Sequence, residues 1–227
     1  MNSVSRQILM AAGGAKKEPP VLTYVTATMT GGNFSSRTFP SFSIGSASPT
    51  RRVIVALSVY GSATNIASVT VAGQSTTKLV QAQNGGTVTA IFVTDNPVTS
   101  GTTADIAITL NANSDRWAIA TYSATGLTSV TPVGTATTNT NGGSVSVSGS
   151  KDGFIVGVGG GSGYYGEGGS ASWTGLTQSV YLNGYTTYAV GMYASMGSKA
   201  LTSDGSTSAS LTLGDIYQPA FAYASLR

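Results

Sequence analysis

Residues 153–173 read GFIVGVGGGSGYYGEGGSASW. Within them Gly161, Gly163 and Gly166 spell G-x-G-x-x-G, and the apolar run Phe154 to Val158 just before them reads as a strand. A strand leading into that spacing opens the dinucleotide-binding fingerprint, which belongs to an α/β fold. The fingerprint works only when a helix starts at the glycines, so that its N-terminal amides face the pyrophosphate. An acidic residue about 20 positions further on must then hold the ribose. Here the glycines run into Glu167-Gly168-Gly169-Ser170-Ala171-Ser172, which is no helix start. Asn183 and Gly184 stand where the acid belongs, and the next Asp is Asp204. In a chain with 30 Gly the match is compositional, and nucleotide binding is set aside. The stretch is read as a core strand, Phe154 to Val158, followed by a glycine-rich loop over Gly159 to Gly169 that exposes Tyr164 and Tyr165. Trp173 begins the return into the body.

Outward from that stretch the period is two. Val69/Val71, Ile106/Ile108/Leu110, Val145/Val147, Ala209/Leu211/Leu213 and Phe221/Tyr223 each place apolar side chains on one face of a strand, with Ser, Thr or Ala on the other. Residues 52–60, RVIVALSVY, are apolar on both faces and predict a central, covered strand. Asn84-Gly85-Gly86, Asn141-Gly142-Gly143, Asn183-Gly184 and Asp204-Gly205 are turn chemistry, and the first predicts a hairpin. About fourteen such runs occur at short spacing, with no sustained 3.6-residue period and no strong internal repeat. A weak seam at Thr135 to Gly143 reads as a long loop. The expectation is an all-β, antiparallel two-sheet β-sandwich, jelly-roll-like, spanning residues 21–227 as one domain. Residues 1–20 form an extended N-terminal arm and linker: a short apolar cluster, the flexible Gly13-Gly14, then Pro19-Pro20, which favours an extended path.

Composition removes whole classes of chemistry. With no Cys and no His among 227 residues, thiolate catalysis, disulfides, Ser-His-Asp arrangements and the usual zinc sites are excluded. Only eight Asp and Glu remain for carboxylate chemistry. Asp95, Asp105, Asp152 and Glu167 are the candidates for a glycosidase-like pair, and most sit beside Asn, Gly or Pro, where turn formation is the plainer role. The chain is therefore read as a non-enzyme with no catalytic residue, cofactor or metal. Charged residues make up 8% of the chain, against about 25% in an ordinary soluble domain. Ser and Thr exceed a quarter of it. Such a surface suits a crowded permanent assembly or an extracellular setting.

The net charge of +3 is concentrated early. Residues 1–52 carry Arg6, Lys16, Lys17, Arg37, Arg51 and Arg52 against Glu18. Six scattered cations without an aromatic RNA-binding motif favour docking on an acidic protein surface over nucleic acid. No apolar run approaches the roughly 20 residues of a membrane span, and Ile8 to Ala12 is too short for a secretory segment.

The arm, SVSRQILMAAGG at residues 3–14, resembles a short N-terminal sequence of tailed-bacteriophage virion proteins, in which a Gln, one or two apolar residues and a Met precede a run of small residues like Ala11-Ala12-Gly13-Gly14-Ala15. The body resembles phage β-sandwich accessory proteins in RRVIVALSVYG, SVTVAGQSTTKL, WAIATYSATGL, KDGFIVGVGG and AFAYASLR. The resemblance implies a structural component located in the virion: a tail-fibre or tail-associated protein, or else a head-fibre or capsid decoration protein. It also implies an arm that docks on other virion proteins (portal, adaptor, tail or capsid). The anchoring role then falls on Val4, Arg6, Gln7, Ile8, Leu9 and Met10. No repetitive shaft or coiled-coil heptad is present, unlike in long fibres. A body poor in charge predicts a homo-oligomer, a trimer first. The second functional reading is host attachment, in which Tyr164, Tyr165, Trp173 and Tyr185, with Tyr181 and Tyr188, offer aromatic faces to a host surface glycan.

Overall fold

A computed structural model of the chain describes residues 18–164, 170–184, 190–214 and 216–227. Among these residues there is no helix, and every strand pairing is antiparallel. The first strands are β1 (Val21–Ser43), β2 (Arg52–Gly61), β3 (Ile66–Val71), β4 (Gln74–Asn84), β5 (Thr87–Thr94) and β6 (Thr103–Thr125). They are followed by β7 (Gly134–Thr138), β8 (Val145–Gly149), β9 (Phe154–Tyr164), β10 (Ala171–Thr174) and β11 (Thr177–Gly184). The last are β12 (Val190–Ala200), β13 (Gly205–Leu213) and β14 (Tyr217–Leu226).

The strands form three sheets where periodicity alone suggests two. One runs β1-β6-β2-β5-β4-β3 and closes on itself, because β3 also pairs with β6. Closure uses the length of β6: its first part, Ile106–Leu110, borders β3, and its second, Ser114–Ala124, borders β2. β1 follows the same bend, with register shifts around Gly31 and Phe34. The second sheet is β11-β12-β9-β14-β7 and the third β10-β13-β8.

Three apolar layers follow from the alternation. Val53, Val55, Leu57 and Val59 of β2 point into the closed sheet with Val88, Ala90 and Phe92 of β5 and Ile106, Ile108 and Trp117 of β6. The alternate residues, among them Ile54, Ala56, Ile91, Ala118 and Ala120, meet Phe154, Val156, Val158, Ala194 and Ala222 of the five-stranded sheet. The other face of that sheet, Ile155, Phe221 and Tyr223, packs on Val147, Ala209, Leu211 and Leu213 of the three-stranded sheet. Fully burying each large side chain contributes about 1.5–3 kcal/mol.

A sheet covered on both faces explains the glycines of residues 153–173. Gly159 to Tyr164 do not leave as a loop: they continue β9, paired with Ser195 to Val190 of β12. A Cβ on Gly157 would lie 2.8 Å from Leu176 and 2.9 Å from Trp173. On Gly159 it would lie 2.3 Å from Phe221 and 2.5 Å from Leu211, and on Gly161 2.8 Å from Ile216. These glycines let large side chains of neighbouring strands and sheets close over the backbone. Gly161 and Gly163 of the nucleotide-like spacing are therefore strand residues, and Gly166 lies outside the described residues.

The hairpin at Gly85-Gly86 forms as expected, with Asn84 opposite Thr87 and Gly85 at φ 54°. Two other turn readings give way. Asn183 and Gly184 belong to β11, where a Cβ on Gly184 would meet Met29 Sδ at 2.1 Å. The stretch read as a long loop at Thr135 to Gly143 contains most of β7, which pairs with β14, before turning at Gly142.

Candidate functional site

The anchor residues Val4, Arg6, Gln7, Ile8, Leu9 and Met10 lie outside the described residues. What is described is the root from which that segment extends. Glu18, Pro19 and Pro20 line a cleft of about 290 Å³ with Thr128, Lys151, Asp152, Asp204 and Arg227. Of the chain's nineteen charged residues, eleven basic and eight acidic, five converge here. The walls are fixed by backbone pairing. Thr128 donates from N and Oγ1 to Arg227 O at 3.0 and 2.8 Å. Lys151 N donates to Asp204 Oδ1 at 2.8 Å, and Asp152 N to Leu201 O at 2.9 Å. Asp152 takes a left-handed backbone conformation at φ 64°, which Asp tolerates in turns.

Three of the early cations, Arg37, Arg51 and Arg52, bond to the fold's own backbone, whereas Arg6, Lys16 and Lys17 lie outside the described residues. Arg51 is fully buried, and among the described residues no carboxylate pairs with it. Its guanidinium donates to four backbone carbonyls: Val98 O at 2.9 Å, Gly45 O at 2.5 Å, Gly101 O at 2.9 Å and Ser100 O at 2.7 Å. Burial pulls its pKa down, yet a guanidinium stays charged at any physiological pH. It acts as a cationic pin holding the 45–50 and 98–101 loops. Arg52 donates to Thr94 O at 2.7 Å and to Asp95 O. Arg37 donates to Gly31 O and Thr30 Oγ1, both at 2.9 Å.

Along β9 the opposite end of the molecule lies about 33 Å from this cleft, from the rise per strand residue. There Tyr164 ends β9 opposite Val190, and Gly184 ends β11 opposite Met192. The strand ends that flank residues 165–169 and 185–189 are thus neighbours in one sheet, so the topology brings the position of Tyr164 and the boundaries of both segments to one place. Tyr165, Tyr185 and Tyr188 themselves lie outside the described residues. Tyr217, 56% exposed, pairs with Ser162 at the same end, and Phe34, 49% exposed, pairs with Ser114 beside Gly61.

Trp173 is not among them. It sits on β10 near Gly157 and Gly197, about 23 Å back along the strands. Its Nε1 donates to Ser195 Oγ at 2.9 Å and its ring meets Tyr223 edge-on at 6.0 Å. Half-buried and hydrogen-bonded inside the fold, Trp173 is a packing residue. Tyr181 stacks on Tyr193 at 6.4 Å.

Asp95 and Asp105, two of the carboxylates considered for catalysis, bond within the fold. Asp95 accepts from Ser75 Oγ at 2.5 Å and Thr77 Oγ1 at 2.7 Å, and these bonds hold its pKa below the usual carboxylate value. Asp105, a strand residue of β6 and not a turn residue, accepts from Ser41 N at 2.9 Å. Glu167 lies outside the described residues. Among the described residues no three Asp or Glu side chains converge as a metal site, and no helix is long and apolar enough to cross a membrane. Lys78 is pulled down by burial and donates to Asn65 Oδ1 at 2.8 Å and Gln81 Oε1 at 3.0 Å. The buried arginine and the glycine-lined strand carried no signal in the sequence that marked them as structural. Comparison of the chain with known protein families, curated proteins and solved structures finds no match.

Proposed function

We propose that the chain is a non-enzymatic structural component of a tailed-phage virion, docked on the particle through its N-terminal arm, residues 1–20, and built as a tail-fibre or tail-associated protein. The observation that carries the reading is the root of that segment: it joins the body at one end, in a cleft that holds five of the few charged side chains. The phage-like sequence SVSRQILMAAGG and a hydroxyl-rich, charge-poor surface point the same way. Each body layer reads as part of a jelly-roll-like sandwich, with five-stranded and three-stranded sheets facing each other across an apolar layer. The partners are other virion proteins, and copies close into a homo-oligomer, a trimer first; a monomeric mass by light scattering refutes that assembly. Immunogold labelling of intact particles with antibody to the body tests the function. Label at the tail supports the proposal, label at the head supports the decoration alternative, and unlabelled particles refute both.

A second reading, host attachment through a surface glycan, is favoured by the far end. Exposed Tyr217 stands there, opposite Ser162 near the strand end that carries Tyr164, about 33 Å from the cleft. Binding of the purified protein to host cells or a glycan array supports it, and absence of binding to both removes it.

A further inference from the structure

We infer that the chain is a tandem duplication, and that the buried face of each five-stranded set is a docking surface made for a second copy of the same unit. In the first half, β2, β4, β5, the second part of β6 and the first part of β1 form the order β1-β6-β2-β5-β4; in the second half β7-β14-β9-β12-β11 follows the same order. The first part of β6, flanked by the second part of β1 and by β3, matches β13 flanked by β8 and β10.

The registers agree residue by residue. Val55 opposite Thr121 becomes Gly157 opposite Tyr223, both numbers raised by 102. Val69 opposite Ile108 becomes Trp173 opposite Leu211, raised by 104 and 103. Phe39 opposite Ile106 becomes Val145 opposite Ala209, raised by 106 and 103. Even an irregularity is copied: β4 slips one residue against β5 between Lys78 and Val80, and β11 slips against β12 between Gln178 and Val180. A bulge is a specified feature of a strand pair, so its recurrence at equivalent positions is independent support for common origin.

The packing of the halves is isologous. Gly160 is the position equivalent to Ser58 by the shift of 102, and a Cβ on Gly160 would lie 2.0 Å from Ser58 Oγ. One position meets its own counterpart, as a face-to-face isologous contact requires at its two-fold axis. Away from it the edges exchange. Met29 covers Gly184, and its equivalent Asn139, by the shift of 110 that takes Thr26 opposite Thr121 to Ala136 opposite Tyr223, donates from Nδ2 to Gln83 O at 3.0 Å. Gln83 is the neighbour of Asn84, the equivalent of Gly184. A side chain on both sides of the axis forces the Ser58 hydroxyl to turn away and crowds its Cβ at 3.1 Å, and glycine on one side relieves that crowding.

Full-length variants test the inference. Gly160→Ser alone is expected to lower Tm by about 5 °C or more. Adding Ser58→Gly moves the one hydroxymethyl across the axis and restores Tm to within about 2 °C of the parent; a double variant as unstable as Gly160→Ser overturns the axis. A crystal structure of the full chain gives the direct measure. Superposing residues 52–60 and 116–124 on 154–162 and 218–226 is expected to need a rotation near 180° that carries Ser58 onto Gly160. A rotation far from 180° overturns the two-fold packing, and mismatched strand registers overturn the duplication.

Discussion

Replacing Gly159 by Ala separates a buried strand from a surface loop. A Cβ there would lie 2.3 Å from Phe221 and 2.5 Å from Leu211, against 3.4–4 Å for an ordinary contact, so both side chains must retreat by about 1 Å. Both are fully buried. Phe221 is held by β14, where it stands directly opposite Gly159, and Leu211 by β13 in the sheet beyond. Overpacking of this kind costs about 1–3 kcal/mol. Ala also restricts the unfolded chain, which returns about 0.4–1 kcal/mol. The net loss is about 1–2 kcal/mol, or about 2–8 °C in Tm for a chain of this length. Thermal unfolding followed by circular dichroism measures it. Phe221→Leu added to the variant opens space at the same contact and recovers at least half of the loss beyond what Phe221→Leu costs alone. A Gly159→Ala protein as stable as the parent, or more stable, is the result a glycine in a solvent-exposed loop gives, and it refutes the packing argument.

Three further outcomes follow from the side-chain network. Arg51→Met strips four carbonyls of their donor, one of them fully buried, and lowers stability by about 3–5 kcal/mol in chemical denaturation; a loss below about 1 kcal/mol contradicts the pinning role. Asp95 has its folded pKa depressed by Ser75 and Thr77, so the stability it supplies is present above its unfolded value of 3.8 and is lost as pH falls through the lower folded value. The gap between the parent and Asp95→Asn in denaturation midpoint therefore narrows below about pH 4, and a gap that widens there contradicts the assignment. Trp173→Phe keeps the ring over Gly157 and Gly197 but loses the bond to Ser195, for about 1 kcal/mol; cell or glycan binding lost with the fold intact would instead make Trp173 a contact residue.

Strand residues whose two faces differ in chemistry were readable. Val69/Val71, Ile106/Ile108/Leu110 and Ala209/Leu211/Leu213 all point inward, and RVIVALSVY is covered on both faces. The glycines of β9 were not readable, because a glycine required by closely packed neighbours is spelled like a glycine required by a turn. Asn183-Gly184 failed for the same reason. The repeated strand plan was hidden by unequal connections: the shift between halves varies from 100 on β4 to 110 on β1, so no fixed period survives. Identities are sparse, as in Ala118/Ala220, Ala120/Ala222 and Ser123/Ser225. Arg51 reads in sequence as a surface cation because three of its four carbonyl partners are brought from about 50 residues away. At the candidate site the anchor segment was legible as sequence, whereas the cleft at its root gathers residues 18–20, 128, 151–152, 204 and 227, which only folding places together.

Deletion of residues 2–12 asks whether that segment anchors the protein to the particle. Three apolar side chains such as Ile8, Leu9 and Met10 supply about 1.5–3 kcal/mol each on burial against a partner, before ordering costs. The body begins beyond that segment, so the truncated protein is expected to keep the circular dichroism spectrum and unfolding transition of the parent. Quantified in purified particles by mass spectrometry, it is expected to be absent. Incorporation at the parent's copy number would contradict the account.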